Sequence, residues 1–263
     1  MMYNVAFHGI LLAYLLASLL FWLSMGLQQR WMVRLARGLL WGGFGVQTLA
    51  LGSSLATQQA WFAGDLTTSL SVLSWAIVAV YAVAIWRYRI EALGAFVIPL
   101  ACLATASAGV PVAATGQGAL AVQPLWLALH ISLALLGYAA FVLMFCAGVM
   151  YLIQEQQLKS KRSGALYRYL PSLTLLDELS AKALLFGFPF LTQGIVTGSI
   201  WAKYTHGSYL QWQLTSLPLL LAWLIYALLL GGRRALGWQG TKAARAAIGG
   251  FIVVLASYVV HTL

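Results

Sequence analysis

Apolar runs of close to twenty residues, separated by short turns, recur along nearly the whole chain, and this recurrence constrains the fold more than any other feature. About 20 residues of helix cross the roughly 30 Å of hydrocarbon in a bilayer. At 62% apolar and 8% charged residues over 263 positions, the chain has too little polar surface to cover a soluble globule of this size. Ten-residue segments of alternating hydrophobicity, the mark of a membrane barrel, are not found in the sequence. The expected fold is therefore all-α: a polytopic membrane helical bundle that satisfies its backbone hydrogen bonds within each span. The runs predict eight transmembrane helices at roughly 5–26, 39–57, 69–88, 91–109, 125–153, 181–202, 214–231 and 246–262.

Assigning the linkers alternately to two sides separates the charges. Arg30, Arg34, Arg37, Arg87, Arg89, Lys159, Lys161, Arg162, Arg168, Lys182, Arg233, Arg234, Lys242 and Arg245 fall on one side, and Lys203 alone on the other. Basic residues are retained in the cytoplasm, so this side is read as cytoplasmic, with both termini outside. The formal charge of +10 then describes loop placement and an affinity for anionic lipid headgroups. It does not describe a nucleic-acid surface. The first apolar run has three arginines after it and none before, the reverse of a secretory signal, so it is expected to stay as a helix.

The whole chain, 1–263, reads as a single transmembrane domain, since no hydrophilic region is long enough to fold separately. One cytoplasmic stretch stands out, residues 154–180. It begins with a basic run and carries Leu170, Leu173, Leu176 and Leu179 at three-residue spacing beside Pro171, which predicts a short amphipathic helix lying on the interface. This stretch is either a connector or a docking surface for a cytosolic protein. The outer loops, about 58–68, 110–124 and 203–213, are nearly uncharged. Trp61, Phe62, Trp126, Trp201, Tyr204, Tyr209 and Trp212 crowd them and the adjacent helix ends, as interfacial aromatic belts do.

Cys102 and Cys146 lie inside predicted spans and form neither CxxC nor CxxCH, so packing is their expected role. All four histidines map to the outer half: His8, His130, His206 and His261. His130 follows Pro124 by six residues, about 9 Å into its helix. Two imidazoles facing each other near one membrane surface can fill both axial positions of a haem iron; the alternative is interfacial or hydrogen-bonded histidines. The five carboxylates, Asp65, Glu91, Glu155, Asp177 and Glu178, all lie away from mid-membrane, where a proton-coupled transporter keeps one. The sequence has no phosphate-binding glycine loop, zinc-type spacing or nucleophile motif. A non-catalytic role is expected.

The stretch Thr197 to Gln213 (TGSIWAKYTHGSYLQWQ) resembles the Trp-rich signature loop of the cytochrome c assembly membrane proteins of the CcsA, ResC and CcmC type, which handle haem at the outer face. Gly198, Trp201, Ala202, Gly207, Ser208, Tyr209 and Trp212 fall at that spacing, and Trp223, Leu224, Tyr226 and Ala227 match the helix that follows. The chain departs from the pattern at His206 and Leu210, where the signature has Trp, at Gln213, where it has Asp, and at Ser216, where it has Glu. The segment from Leu129 to Tyr138 looks like the family's helix carrying the first outer histidine, and His261 falls where the second occurs. Gln47 stands where a further family histidine is sought.

The resemblance implies non-covalent haem b, with His130 and His261 as the axial pair and Trp201, His206, Tyr209 and Trp212 around it. It implies a bacterial inner-membrane carrier meeting haem-delivery or apocytochrome partners outside. The eight-helix size points to the short HemX/YpjD-like branch. HemX-type members imply the alternative of a non-catalytic regulator or anchor, with glutamyl-tRNA reductase as the cytosolic partner at 154–180.

Overall fold

In the computed structural model, the described residues are 2–56, 66–109, 124–161, 169–207 and 216–262. They form eight long helices and, among the described residues, no strand: α1 (Met2–Leu27), α2 (Arg30–Ala56), α3 (Leu66–Tyr88), α4 (Gly94–Ala108), α5 (Pro124–Lys159), α6 (Leu173–His206), α7 (Ser216–Ala235) and α8 (Thr241–Thr262). One 3₁₀ turn, Glu91–Leu93, leads into α4. The chain is an all-α polytopic membrane bundle. Six of the helices (α1, α3, α4, α5, α6 and α7) are long and apolar enough to cross a bilayer by themselves. In α2, five glycines and three arginines dilute the apolar content. The amino-terminal half of α8 is built mainly from alanine, glycine, Lys242 and Arg245.

Each helix overlaps one predicted span, yet several run well past it. α2 begins at Arg30 rather than 39, α5 continues to Lys159, and α6 begins at Leu173 rather than 181. Hydropathy reports only the part of a helix that lies in hydrocarbon, whereas backbone pairing continues into the headgroup layer as long as the residues allow it.

The stretch 154–180 takes in parts of two helices. Gln154–Lys159 are the last turns of α5, and Leu173 opens a helix that runs unbroken to His206, capped by the Ser172 hydroxyl accepting from Leu175 N–H at 3.4 Å. Leu170, Leu176 and Leu179 are buried and Leu173 is half-buried, so this face of the segment packs against the protein. Residues 162–168 fall outside the described residues.

The helices gather into two compact units. The first runs from Met1 to Ile131 and takes in Tyr169; the second holds Ser132–Ser163 and Leu170–Leu263, so the division falls within α5. In the first unit α1 packs along α2 and α4, and α3 along α4. Its largest buried side chains include Tyr14, Phe21, Leu40, Tyr81, Leu93 and Ile98. Gly94 sits where a Cβ would lie 2.7 Å from the Tyr81 hydroxyl and 3.0 Å from Phe21 Cζ.

In the second unit α7 packs against α8 and α6. The rings of Phe141 and Tyr226 stack with centroids 4.0 Å apart, and Phe145 packs on Phe251 at 4.5 Å. Gly250 is the counterpart of Gly94: a Cβ there would lie 2.4 Å from Tyr226 Cε1. Small residues at such crossings let helix backbones approach where lipid supplies no hydrophobic drive.

Candidate functional site

Following the chain back and forth through the membrane, the ends opposite the basic loops are the start of α1, α3, α5 and α7 and the finish of α2, α4, α6 and α8. His8 is an exposed side chain near the start of α1, its ring edge-on to Phe7 at 5.5 Å. His130 lies on α5 six residues after Pro124 and is partly buried. Trp126, also partly buried, precedes it by four residues and so shares its helix face. Trp201 is partly buried in the last turns of α6. His206 is the final residue of α6, which Gly207 closes in the left-handed conformation at φ 77°, its N–H donating to Lys203 O at 2.9 Å.

The remaining expected site residues fall elsewhere. The backbone of His261 belongs to α8, while its side chain and that of His206 lie outside the described residues; Tyr209 and Trp212 lie outside them altogether. His130 is in the first unit, and the backbones of Trp201, His206 and His261 are in the second. Among the described residues, no group of three or more His, Cys, Asp or Glu side chains gathers that could hold a metal ion. A bis-imidazole site needs only two, and the surroundings of His130 suit one of them: an imidazole at modest depth, beside an indole on the same helix face, in an apolar helix. Cys146 is buried and Cys102 half-buried, both free thiols.

Two constellations carry polar chemistry that sequence reading did not place. The first surrounds Gln47, which is buried on α2. The Tyr14 hydroxyl donates to Gln47 Oε1 at 2.6 Å, and Gln47 Nε2 donates to the Ser71 carbonyl at 3.0 Å, joining α1, α2 and α3. Nearby, the Ser74 and Thr105 hydroxyls lie 2.7 Å apart and join α3 to α4. Gln47 is thus committed to helix pairing. Its signal in the sequence was a lone amide deep in a span, which in hydrocarbon requires a partner.

The second constellation lies at the basic end of the second unit. Arg233 donates to both Asp177 oxygens, at 3.1 and 3.0 Å, and the Gly240 N–H donates to Asp177 Oδ1 at 3.0 Å. Glu155 Oε1 accepts from Thr241 at 2.7 Å and from Lys159 at 2.8 Å. Charge-assisted, forked bonds of this kind fix geometry as well as adding energy. They tie the basic ends of α5, α6, α7 and α8 into one knot.

Residues 63–263 match the protein family described as cytochrome C assembly protein. The chain is 31% identical over 201 residues to the cytochrome c biogenesis protein CcsA of Chlamydomonas reinhardtii, covering 74% of this chain and 56% of that protein. It is 30% identical over 229 residues to CcsA of Heterosigma akashiwo, covering 74% and 71%, and 29% identical over 290 residues to CcsA of Synechococcus sp. strain CC9605, covering 97% and 91%. The chain thus spans little more than half of the Chlamydomonas protein but nearly all of the Synechococcus one.

Proposed function

This chain belongs to the cytochrome c assembly protein family, and from that premise we propose that it is a haem carrier of cytochrome c biogenesis. It holds haem b non-covalently at the face opposite its basic loops and passes it to a haem-delivery or apocytochrome partner, without itself catalysing the attachment. The observation that carries this reading is the extent of the family match, 63–263, which takes in the helix of His130, the loop 203–213 and His261 together.

His130 and His261 are proposed as the axial ligands. Haem, here the cargo, offers two axial positions that neutral imidazole nitrogen fills. The chain's part is to hold the rings, exclude water and supply walls; Trp201, His206, Tyr209 and Trp212 are proposed for the walls. The departures at His206, Leu210 and Gln213 support a looser coupling to the apocytochrome than in relatives with the full Trp-rich signature, and a place in the short HemX/YpjD-like branch. The proposed location is a bacterial inner membrane with the basic loops in the cytoplasm.

The test is the absorption spectrum of the protein purified in mild detergent from cells supplied with haem precursor. The expected result is a stoichiometric Soret band with sharp reduced α and β bands, altered separately by His130→Ala and by His261→Ala. An unchanged spectrum in both variants removes the ligand assignment, and a folded protein without haem removes the carrier reading. The second outcome favours a regulator or anchor that meets a cytosolic protein such as glutamyl-tRNA reductase. The exposed end of α5 at Gln156, Leu158, Ser160 and Lys161 supports that reading.

A further inference from the structure

In both units the described carboxylates each take up one cation, and the cations left over differ in kind. In the second, Glu155, Asp177 and Glu178 each pair with one cation: Lys159, Arg233 and Lys182. In the first, Glu91 is the single carboxylate among the described residues, and it pairs with Arg37. Arg30, Arg34, Arg87 and Arg89 remain, all exposed, and no ion pair among the described residues takes them up.

Three features of these four residues point to the same ligand. All are arginine, whose planar fork matches a phosphate bidentately where lysine offers only a point charge. Arg30 and Arg34 stand one helical turn apart on α2, so their like charges repel unless an anion lies between them. Tryptophans alternate with them in sequence: Trp31 is 51% and Trp86 82% exposed, while the Arg87 guanidinium lies 5.7 Å from the Tyr88 ring centroid. Exposed indoles settle at the headgroup level of a bilayer, which puts the arginines at the depth of lipid phosphates.

We propose that the arginine-bearing end of the first unit is a binding surface for the phosphate of anionic phospholipids, gripped by Arg30 and Arg34 and flanked by Arg87, Arg89, Trp31 and Trp86. A free phosphate offers the same chemistry as a headgroup, but the exposed Leu27, Trp31 and Leu35 around the α1–α2 turn favour a ligand that brings acyl chains with it. The second unit also leaves cations exposed, at Lys161, Arg234, Lys242 and Arg245, but among the described residues none of them stands in a pair of arginines one turn apart beside an exposed tryptophan.

The experiment reconstitutes the full chain in nanodiscs of phosphatidylcholine with a minor fraction of phosphatidylglycerol and reads retained lipid by native mass spectrometry. The wild type is expected to retain phosphatidylglycerol selectively, and Arg30→Gln with Arg34→Gln to retain about fivefold less for each arginine removed. Arg30→Lys with Arg34→Lys, which keeps the charge and the fold, should fall between them. Lys242→Gln with Arg245→Gln in the second unit should bind as the wild type does. Equal retention by the Arg30/Arg34 glutamine pair, or equal loss from both pairs, overturns the proposal. So does displacement of phosphatidylglycerol by an equal concentration of inorganic phosphate, which identifies a free-phosphate site instead.

Discussion

The two units share one packing device and differ in how they hold their polar groups. In each, a fully buried tyrosine lies against a glycine of the next long helix, with a phenylalanine beside the glycine in one (Tyr81, Gly94, Phe21) and stacked on the tyrosine in the other (Tyr226, Gly250, Phe141). The first unit adds hydrogen bonds within the membrane, through Tyr14, Gln47, Ser71, Ser74 and Thr105. The second has aromatic packing between α5, α7 and α8, a Trp223 to Thr192 bond at 3.0 Å, and the ionic knot at its basic end. Polar pairs inside hydrocarbon specify which helix faces meet but contribute modestly, because an unfolded chain in lipid also finds partners. An ion pair at the interface contributes according to how far water is excluded from it.

That difference can be broken most sharply at the ion pairs. Arg233 and Asp177 are 10% and 20% exposed, whereas Arg37 and Glu91 are 40% and 48% exposed. Asp177→Ala strands a largely buried guanidinium and frees the Gly240 N–H, and is expected to cost about 2–3 kcal/mol. Arg37→Gln in the first unit should cost less than about 1 kcal/mol. Unfolding in dodecyl sulfate, followed by circular dichroism, measures both; equal losses would erase the contrast between the units.

The shared device predicts an effect of the next size. Gly250→Val forces a branched side chain against the Tyr226 ring and should cost about 2 kcal/mol. Gly94→Ala meets chiefly the hydroxyl end of Tyr81 and should cost about half as much. Hydrogen exchange would localise each loss to its own unit. An effect similar to that of Gly94→Ala, about 1 kcal/mol, is expected at Gln47→Leu, which removes two interhelical hydrogen bonds yet suits lipid. A larger loss there than at Gly250 would mean that polar contacts, rather than close packing, hold the first unit together.

Much of the architecture was legible beforehand because hydrocarbon imposes a one-dimensional rule. Each span must satisfy its own backbone, so length and apolarity locate helices without knowledge of their neighbours. The rule fails at Arg30–Arg37 and at Leu173–Ser180, where helix continues outside hydrocarbon and apolarity stops being a guide. The leucines at 170, 173, 176 and 179 showed a real periodicity, but whether such a stripe faces lipid headgroups or protein depends on what packs over it. At the candidate site, the alternation of basic loops supplied the expectation that all four histidines share one side. The partial burial of His130 and Trp126, by contrast, came from the structure.

What the sequence by itself determined is that the chain is an all-α membrane bundle, and roughly where each of its helices lies. These follow from transfer between water and lipid, which acts on each segment separately. Only the tertiary structure decided that Asp177 meets Arg233 across 56 residues, that Gln47 is committed to Tyr14 and Ser71, and that two glycines seat two buried tyrosines. Inside lipid every apolar face is equally at home, so partners are chosen by shape and by the few polar groups that must find one another, and those choices exist only in three dimensions.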